Sequence, residues 1–324
     1  MKKFAVIGIL ILVALVVASA IPAAAQSGQQ AQPPLTIGTD LDAAAQQLLS
    51  SQQYDKAVLD LSLFIMLNPT YSPGYYDRAQ GYLGLNDMTH ALQDVNTAID
   101  TATGVGTPDY SAALYAMRGQ IDQQQKDLQA ALKDFNQSIT IKPSAQALAS
   151  RGGLYISTQD FQSALQDFNA AIKLDSSNPT YYVYLGLIHT ALKDPESSGK
   201  DYLQFFSMIQ NGQIHQQPLQ SGQSTSLQID QGVLYELPFT ATAGQYASAI
   251  AVARTGNVDP LMVLIDSQGN PLYGDDDSGS NGAALILNYK VPADGQYALI
   301  VGHSLGGTTG TVLVQLQVSD TPQQ

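Results

Sequence analysis

Few residues in this chain are suited to chemistry, and one short stretch gathers several of them. Gly302-His303-Ser304-Leu305-Gly306 fits the G-x-S-x-G pattern, which in α/β-hydrolases turns a strand sharply into a helix and exposes a nucleophilic serine. The surroundings oppose that reading. Tyr297 to Val301 reads as a strand, but Ser304 is followed by LGGTTGTVLVQLQV, a glycine-rich turn into another strand. No histidine follows His303, and in an extended chain His303 and Ser304 point to opposite faces. Ser304 is therefore not expected to be a nucleophile, and no catalytic residue is assigned. The four histidines, His90, His189, His215 and His303, include no pair at metal-ligand spacing. Many acids could face each other across a cleft as glycosidase carboxylates do, but nothing singles out a pair.

The acidic stretch GDDDSGSNG, residues 274–282, is a stronger lead. Asp275, Asp276 and Asp277, with Ser278 and Asn281, offer hard oxygen ligands of the kind calcium takes. Asp259 or Asp266 would complete the shell if the loop folds back. The spacing is not that of an EF-hand, and aspartates in turns also cap backbone N–H groups unaided. Calcium binding and plain turn capping are the two readings of this loop.

The elements that position these residues differ along the chain. Residues 1–25 read as a secretory leader: Lys2 and Lys3, an apolar run from Phe4 to Val17, and Ala23-Ala24-Ala25 before Gln26. A retained anchor is the alternative, although the run is short for a span of about 20 residues and Pro22 breaks it. No later segment is long and apolar enough to span, so the mature chain is expected to have no transmembrane span. The setting expected is secreted, periplasmic or otherwise extracytoplasmic. Losing Lys2 and Lys3 with the leader takes the formal charge from −13 to −15, which excludes nucleic acid as a partner because phosphate binding needs a basic surface. The absence of cysteine excludes disulfides, thiolate metal sites and cysteine nucleophiles. Residues 26–37 are expected to form a disordered linker.

From there to residue 212 the text is helical. A pair of small residues twelve apart recurs five times: Ala45 and Ala57, Ala79 and Ala91, Gly119 and Ala131, Gly152 and Ala164, Gly186 and Ser198. Four residues before each pair stands a large residue, Leu41, Tyr75, Tyr115, Leu148 or Tyr182. Four after it stands another, Leu61, Val95, Phe135, Phe168 or Tyr202. Helices that cross closely need small residues at the contact and large ones on the flanks, so each unit is predicted to be a helical hairpin. Successive second members lie 34, 40, 33 and 34 residues apart, the long interval holding the insertion TATGVGTPDY. These residues resemble a tetratricopeptide repeat array of five units over residues 38–212. The pattern departs from that family where Thr103, Ser176 and Gln210 replace the terminal proline and where Ala45 replaces glycine.

Asp60, Asp94, Asp134, Asp167 and Asp201 each follow the second small residue by three, and Arg78, Arg118 and Arg151 precede the first in the middle repeats. Ion pairing within the array is the expected role. By the 100° helical step, residues one, two and five beyond the large anchor should lie opposite the buried stripe. Among them Tyr76, Asp77, Gln80, Met117, Gln120 and Tyr184 are the candidate partner-binding residues, for a protein or peptide ligand; simple solvent exposure is the alternative.

Beyond residue 212 the period shortens toward 2. VLYELPFTAT, ALILNYKV, YALIV and TVLVQLQV alternate apolar and other residues between Gly, Pro, Asn and Asp. An antiparallel β-sandwich is expected over 218–319, after a linker at 213–217 and before a disordered tail at 320–324. FTATAGQ, DPLMVLIDSQGNPLYGDDDSG and ADGQYALIVG resemble the bacterial pre-peptidase C-terminal domain. That resemblance implies an accessory module on an exported protein, and it does not imply a protease. The fold class expected is multidomain α + β, an all-α array of about five hairpins followed by the sandwich. The function expected is a secreted, non-catalytic scaffold that binds a protein or peptide through the array. The alternative is an envelope or polysaccharide-binding module in which the sandwich recognises the ligand and the array is a spacer.

Overall fold

The computed structural model describes residues 36–102, 106–212, 214–305 and 309–323. The expected leader, residues 1–25, and residues 26–35 of the expected linker lie outside the described residues. The chain divides into two compact units, one ending at Asp160 and the other starting at Phe161. Among the described residues ten helices, the five hairpins expected, precede nine strands.

The first unit contains α1 (Thr36–Ser50), α2 (Tyr54–Leu67), α3 (Ser72–Gly84), α4 (Met88–Thr101), α5 (Pro108–Gln124), α6 (Leu128–Ile141) and α7 (Ala145–Ser157). The paired small residues mark the crossing points. Ala45, Ala57, Ala79, Ala91 and Ala131 are fully buried, and a Cβ on Gly119 would lie 3.0 Å from the Phe135 ring and 3.2 Å from the Ala131 carbonyl oxygen. Leu61, Val95 and Phe135, the large residues after the second small one, have no exposed surface. Tyr75 and Tyr115, before the first, are only half-buried, because they cover something polar. The Arg78 guanidinium lies 5.8 Å from the Tyr75 and Tyr82 rings, and that of Arg118 5.4 Å from Tyr115.

Those arginines are struts. Arg78 Nε and Nη2 donate to Asp94 at 2.7 and 2.8 Å, and Nη1 donates to Ser62 Oγ of the preceding hairpin at 3.1 Å. Arg118 repeats the arrangement, with Asp134 at 2.5 and 2.9 Å and Asn96 at 2.8 Å. Arg151 Nη1 donates to Asn136 at 2.6 Å. The forked guanidinium groups of Arg78 and Arg118 thus tie their own hairpins to the ones before them, a geometry lysine could not supply.

Each hairpin bends on a residue in the left-handed region: Gln52, Asn86, Lys126, Gln159 and Lys193, with φ between 59° and 66°. Each stands seven residues beyond its first small residue. An aspartate follows in the later hairpins, and Asp87 and Asp127 accept from the N–H groups of His90 and Ala130 to start the next helix.

The second unit contains α8 (Phe161–Leu174), α9 (Thr180–Ala191) and α10 (Pro195–Ile209), then β1 (His215–Gln216), β2 (Ser224–Ile229), β3 (Tyr235–Ala241), β4 (Tyr246–Gly256), β5 (Pro260–Asp266), β6 (Pro271–Asp275), β7 (Ala284–Lys290), β8 (Gly295–His303) and β9 (Gly310–Ser319). Two sheets form, in the orders β1-β3-β8-β5-β6 and β2-β9-β4-β7. Every pairing is antiparallel except that of β1 with β3. Their facing sides enclose one core, including Leu227, Leu237, Met262, Leu264, Leu299, Val301, Val312 and Leu316.

The opposite side of the five-stranded sheet is also covered. Leu261, Val263 and Ile300 pack with Val183, Tyr202, Phe205 and Phe206 of α9 and α10. Both faces of β5 and β8 are therefore buried, which corrects the alternation expected of YALIV and explains the unbroken apolar runs in these strands. The helix lies hard against the sheet: a Cβ on Gly274 of β6 would come 2.6 Å from Gly199 Cα of α10, and Ser198 Oγ donates to the Gly274 carbonyl at 3.1 Å. The expected linker 213–217 is not free, since β1 pairs with Tyr235 and Glu236. The expected tail is also held, through Asp320 accepting from Gln245 and Gln323 bonding Asn288; Gln324 lies outside the described residues.

Two changes test this account of the helical unit. Asp134→Ala strands the Arg118 guanidinium and should lower the unit's unfolding free energy by about 2–4 kcal/mol in urea titrations. Lys126→Gly removes the cost of a side chain in the left-handed region and should raise it by about 0.5–1 kcal/mol.

Candidate functional site

The candidate partner-binding residues do not form one exposed stripe. Tyr76, Asp77 and Met117 are buried, at 3, 5 and 2% exposure, while Gln80, Gln120 and Tyr184 are half-buried. Helical periodicity assumes one buried face per helix, but a helix inside a stacked array is covered on two. Tyr76 meets the Tyr110 ring of the following hairpin edge-on at 5.8 Å, and Met117 belongs to the same core as Tyr110, Leu114 and Ile121. Tyr184 stacks on Phe168 at 4.9 Å, and burial raises its pKa.

Asp77 is enclosed beside Asp42 of α1. Burial first, and then the Asp42 charge, push its pKa up to about 7, against the opposing hydrogen bond from Gln46 at 3.4 Å. Asp42 is also raised by burial, and its Oδ1 is enclosed without a hydrogen-bond partner. Burial and these two carboxylates raise the neighbouring Tyr71 as well.

Exposed apolar side chains collect elsewhere. On α2, Leu59, Leu63, Met66 and Leu67 are 62, 41, 69 and 45% exposed. At i, i+4, i+7 and i+8 they share one face of the helix. The equivalent positions of α4 are Gln93, Thr97, Asp100 and Thr101, and those of α6 are Lys133, Gln137, Thr140 and Ile141. An outer face that is polar in the next two hairpins is thus apolar in the first, where a terminal repeat would ordinarily be polar.

In the second unit the acidic loop becomes a three-strand junction. The chain before β5 and the ends of β6 and β8 meet at one end of the five-stranded sheet, because β5 runs antiparallel to both neighbours. There the Ser304 N–H donates to the Asp259 carbonyl at 2.7 Å. Carboxylate oxygens of Asp259, Asp276 and Asp277 lie within 4.8 Å of one another. Asp276 is 2% exposed; its Oδ2 accepts from Ser304 Oγ at 2.8 Å, and its Oδ1 has no partner. Burial and then Asp277 push the Asp259 pKa up to about 7; burial, then Asp259 and Asp277, raise Asp276 strongly; burial raises Asp277.

Two of the three consecutive aspartates thus meet each other and Asp259, whereas Asp275 turns into its own loop. Its Oδ2 accepts from the Ser278 and Leu285 N–H groups at 3.2 and 2.7 Å. Asp266 likewise caps its own turn, through Gln268 and Asn270. The motif around Ser304 is also accounted for. His303 Nε2 accepts from the Gly232 N–H at 3.0 Å and Nδ1 donates to the Ser304 carbonyl at 2.9 Å, so its ring bonds backbone at both nitrogens, and the Ser304 hydroxyl donates to Asp276 instead of to the imidazole. His189 pairs with Asp201 at 2.6 Å, taking the place of the missing arginine in the fifth repeat.

Asp77 generates a pH dependence with a defined sign. Folding raises its pKa, so its contribution is complete below the ordinary carboxylate range and is lost as pH rises through about 7. Asp77→Asn should leave stability at pH 4 nearly unchanged and raise it at pH 8 by ~2–4 kcal/mol, read from paired urea titrations.

Comparison with known proteins agrees with the hairpins. Residues 112–144 and 145–178 each match the family model described as tetratricopeptide repeat. Among curated proteins none matches the chain. Solved structures similar to it include MamA residues 41-end from Desulfovibrio magneticus RS-1, at 14% identity over 54% of this chain and 97% of that one, with a TM-score of 0.48. PilF of Pseudomonas aeruginosa is 12% identical over 54% and 77%, also with a TM-score of 0.48. YrrB, described as a tetratricopeptide repeat protein with an unusual peptide-binding site, is 15% identical over 52% and 84%, with a TM-score of 0.42. Residues 112–178 of this chain carry two tetratricopeptide repeats, those holding the pairs Gly119 and Ala131, and Gly152 and Ala164.

Proposed function

We propose that this chain is an extracytoplasmic, non-catalytic scaffold whose first hairpin docks a second polypeptide and whose β-sandwich is an accessory module. The observation that carries the reading is the apolar face of α2. Its four side chains account for half of the large hydrophobic residues left exposed among the described residues. A grouped apolar stripe on an otherwise polar surface marks an interaction site more often than chance exposure. The strongly negative formal charge, −13 before any leader is lost, favours a partner whose rim is neutral or basic around an apolar stripe of its own. The extracytoplasmic setting is supported by Lys2 and Lys3, the apolar run and the alanines before Gln26. The accessory role of the sandwich is supported by its resemblance to the pre-peptidase C-terminal domain.

The test uses the intact chain with a photo-crosslinking residue at position 66, irradiated in the cells that make it. An adduct with a different polypeptide, lost when Leu59→Glu and Leu63→Glu are added, is the expected result. Those substitutions are exposed and should change stability by less than about 0.5 kcal/mol. No adduct, an adduct only with lipid, or one that survives both substitutions would overturn the proposal. Mass spectrometry of the same material should find Gln26 at the amino terminus.

A further inference from the structure

The junction at the end of the five-stranded sheet gathers negative charge without gathering anything to balance it. Asp259 precedes β5, Asp276 and Asp277 follow β6, and their oxygens lie within 4.8 Å of one another. None of the ion pairs among the described residues reaches them. A second observation makes this more than an acidic patch. Asp276 is 98% removed from solvent, with one oxygen held by Ser304 and the other, Oδ1, enclosed and unpartnered. A buried carboxylate oxygen without a donor costs on the order of 1–3 kcal/mol. Asp275 Oδ1 is enclosed without a partner as well, but at Asp276 two further carboxylates stand beside the orphaned group, and a cation is the partner that would complete all three.

We propose that Asp259, Asp276 and Asp277 hold one calcium ion, which ties the ends of β5, β6 and β8 together. The chemistry of the donors selects the ion class. All are hard oxygens, and the imidazole at the junction, His303, is bonded to backbone at both nitrogens, so zinc and other nitrogen- or sulfur-preferring metals are disfavoured. Calcium accepts irregular shells of 6–8 oxygens, while magnesium demands a near-ideal octahedron. Three carboxylates from two separate segments form an irregular shell, and the half-exposed sides of Asp259 and Asp277 leave room for water to complete it. The Ser304 hydroxyl fixes Asp276, and the Ser304 N–H fixes the backbone at Asp259. Ser304 is thus a positioning residue for the ion.

The experiment uses the full chain stripped with chelator, with calcium chloride as the probe. Isothermal titration should find one ion per chain with a Kd of about 10⁻⁴–10⁻³ M, the range of extracellular modules. At 10 mM calcium the unfolding midpoint of the strand unit should rise by roughly 3–10 °C. Asp276→Asn should weaken binding at least about tenfold while leaving the calcium-free midpoint at or above that of the parent chain, since an unpaired buried charge has gone. Asp277→Asn, at a half-exposed position that tolerates change, should also lose the calcium-dependent rise, and it decides the matter if Asp276→Asn does not fold. The proposal is overturned if the parent chain takes up no calcium, if sodium chloride of equal ionic strength gives the same midpoint shift, or if the variants retain parental affinity.

Discussion

The architecture depends on one contact, a side chain of no size meeting a ring. Where Gly119 faces Phe135 and Gly186 faces Tyr202, the second helix of a hairpin presses an aromatic face onto the backbone of the first. A Cβ at Gly186 would stand 2.3 Å from the Tyr202 ring, inside the distance at which atoms repel. Everything else in the hairpins follows from that closeness. The axes approach, the large residues after the second small one, Leu61, Val95, Phe135, Phe168 and Tyr202, lose all solvent, and the polar groups that remain inside must find partners over short distances. The repeated guanidinium–carboxylate forks meet that demand, and because each also reaches back one hairpin, they convert separate hairpins into a stack.

Charge in this protein is arranged on two principles. In the helical unit each buried aspartate of the repeating set is matched, as Asp94 is by Arg78 and Asp134 by Arg118. At two other places carboxylates are enclosed together unmatched: Asp42 with Asp77, and Asp259 with Asp276 and Asp277. The contrast is informative because matching is available to this chain and is used at Asp94, Asp134 and Asp201. Desolvated like charges raise one another's pKa and weaken the fold that holds them, so their persistence sets these places apart from the structural pairs.

How much of this was legible in the sequence depends on the kind of information required. The twelve-residue spacing was enough for the hairpins, because it records a local contact between neighbouring helices. It could not show that Tyr76 and Met117 are inside, since that burial comes from the next hairpin and helical periodicity describes only one face. The hairpin bends were hidden for another reason: Gln52, Lys126 and Gln159 occupy a conformation that glycine usually signals. Of the acidic loop, residue type suggested a cation with Asp259 or Asp266 completing its shell, but only strand order could choose Asp259 over Asp266 and send Asp275 elsewhere. The unbroken apolar run PLMVLI did carry a signal of burial on both faces.

The meeting of α10 with β6 has a consequence for how such a chain could be assembled. In the earlier repeats the residue after the second small one is Val58, Leu92, Leu132 or Leu165, but in the last it is Gly199, shaved down so that backbone can touch the backbone of Gly274. The sheet therefore covers the face of α10 on which a further helix pair would otherwise pack. A gene fusion that swapped the sandwich for another module at the helix–strand boundary would bare Tyr202, Phe205 and Phe206 together.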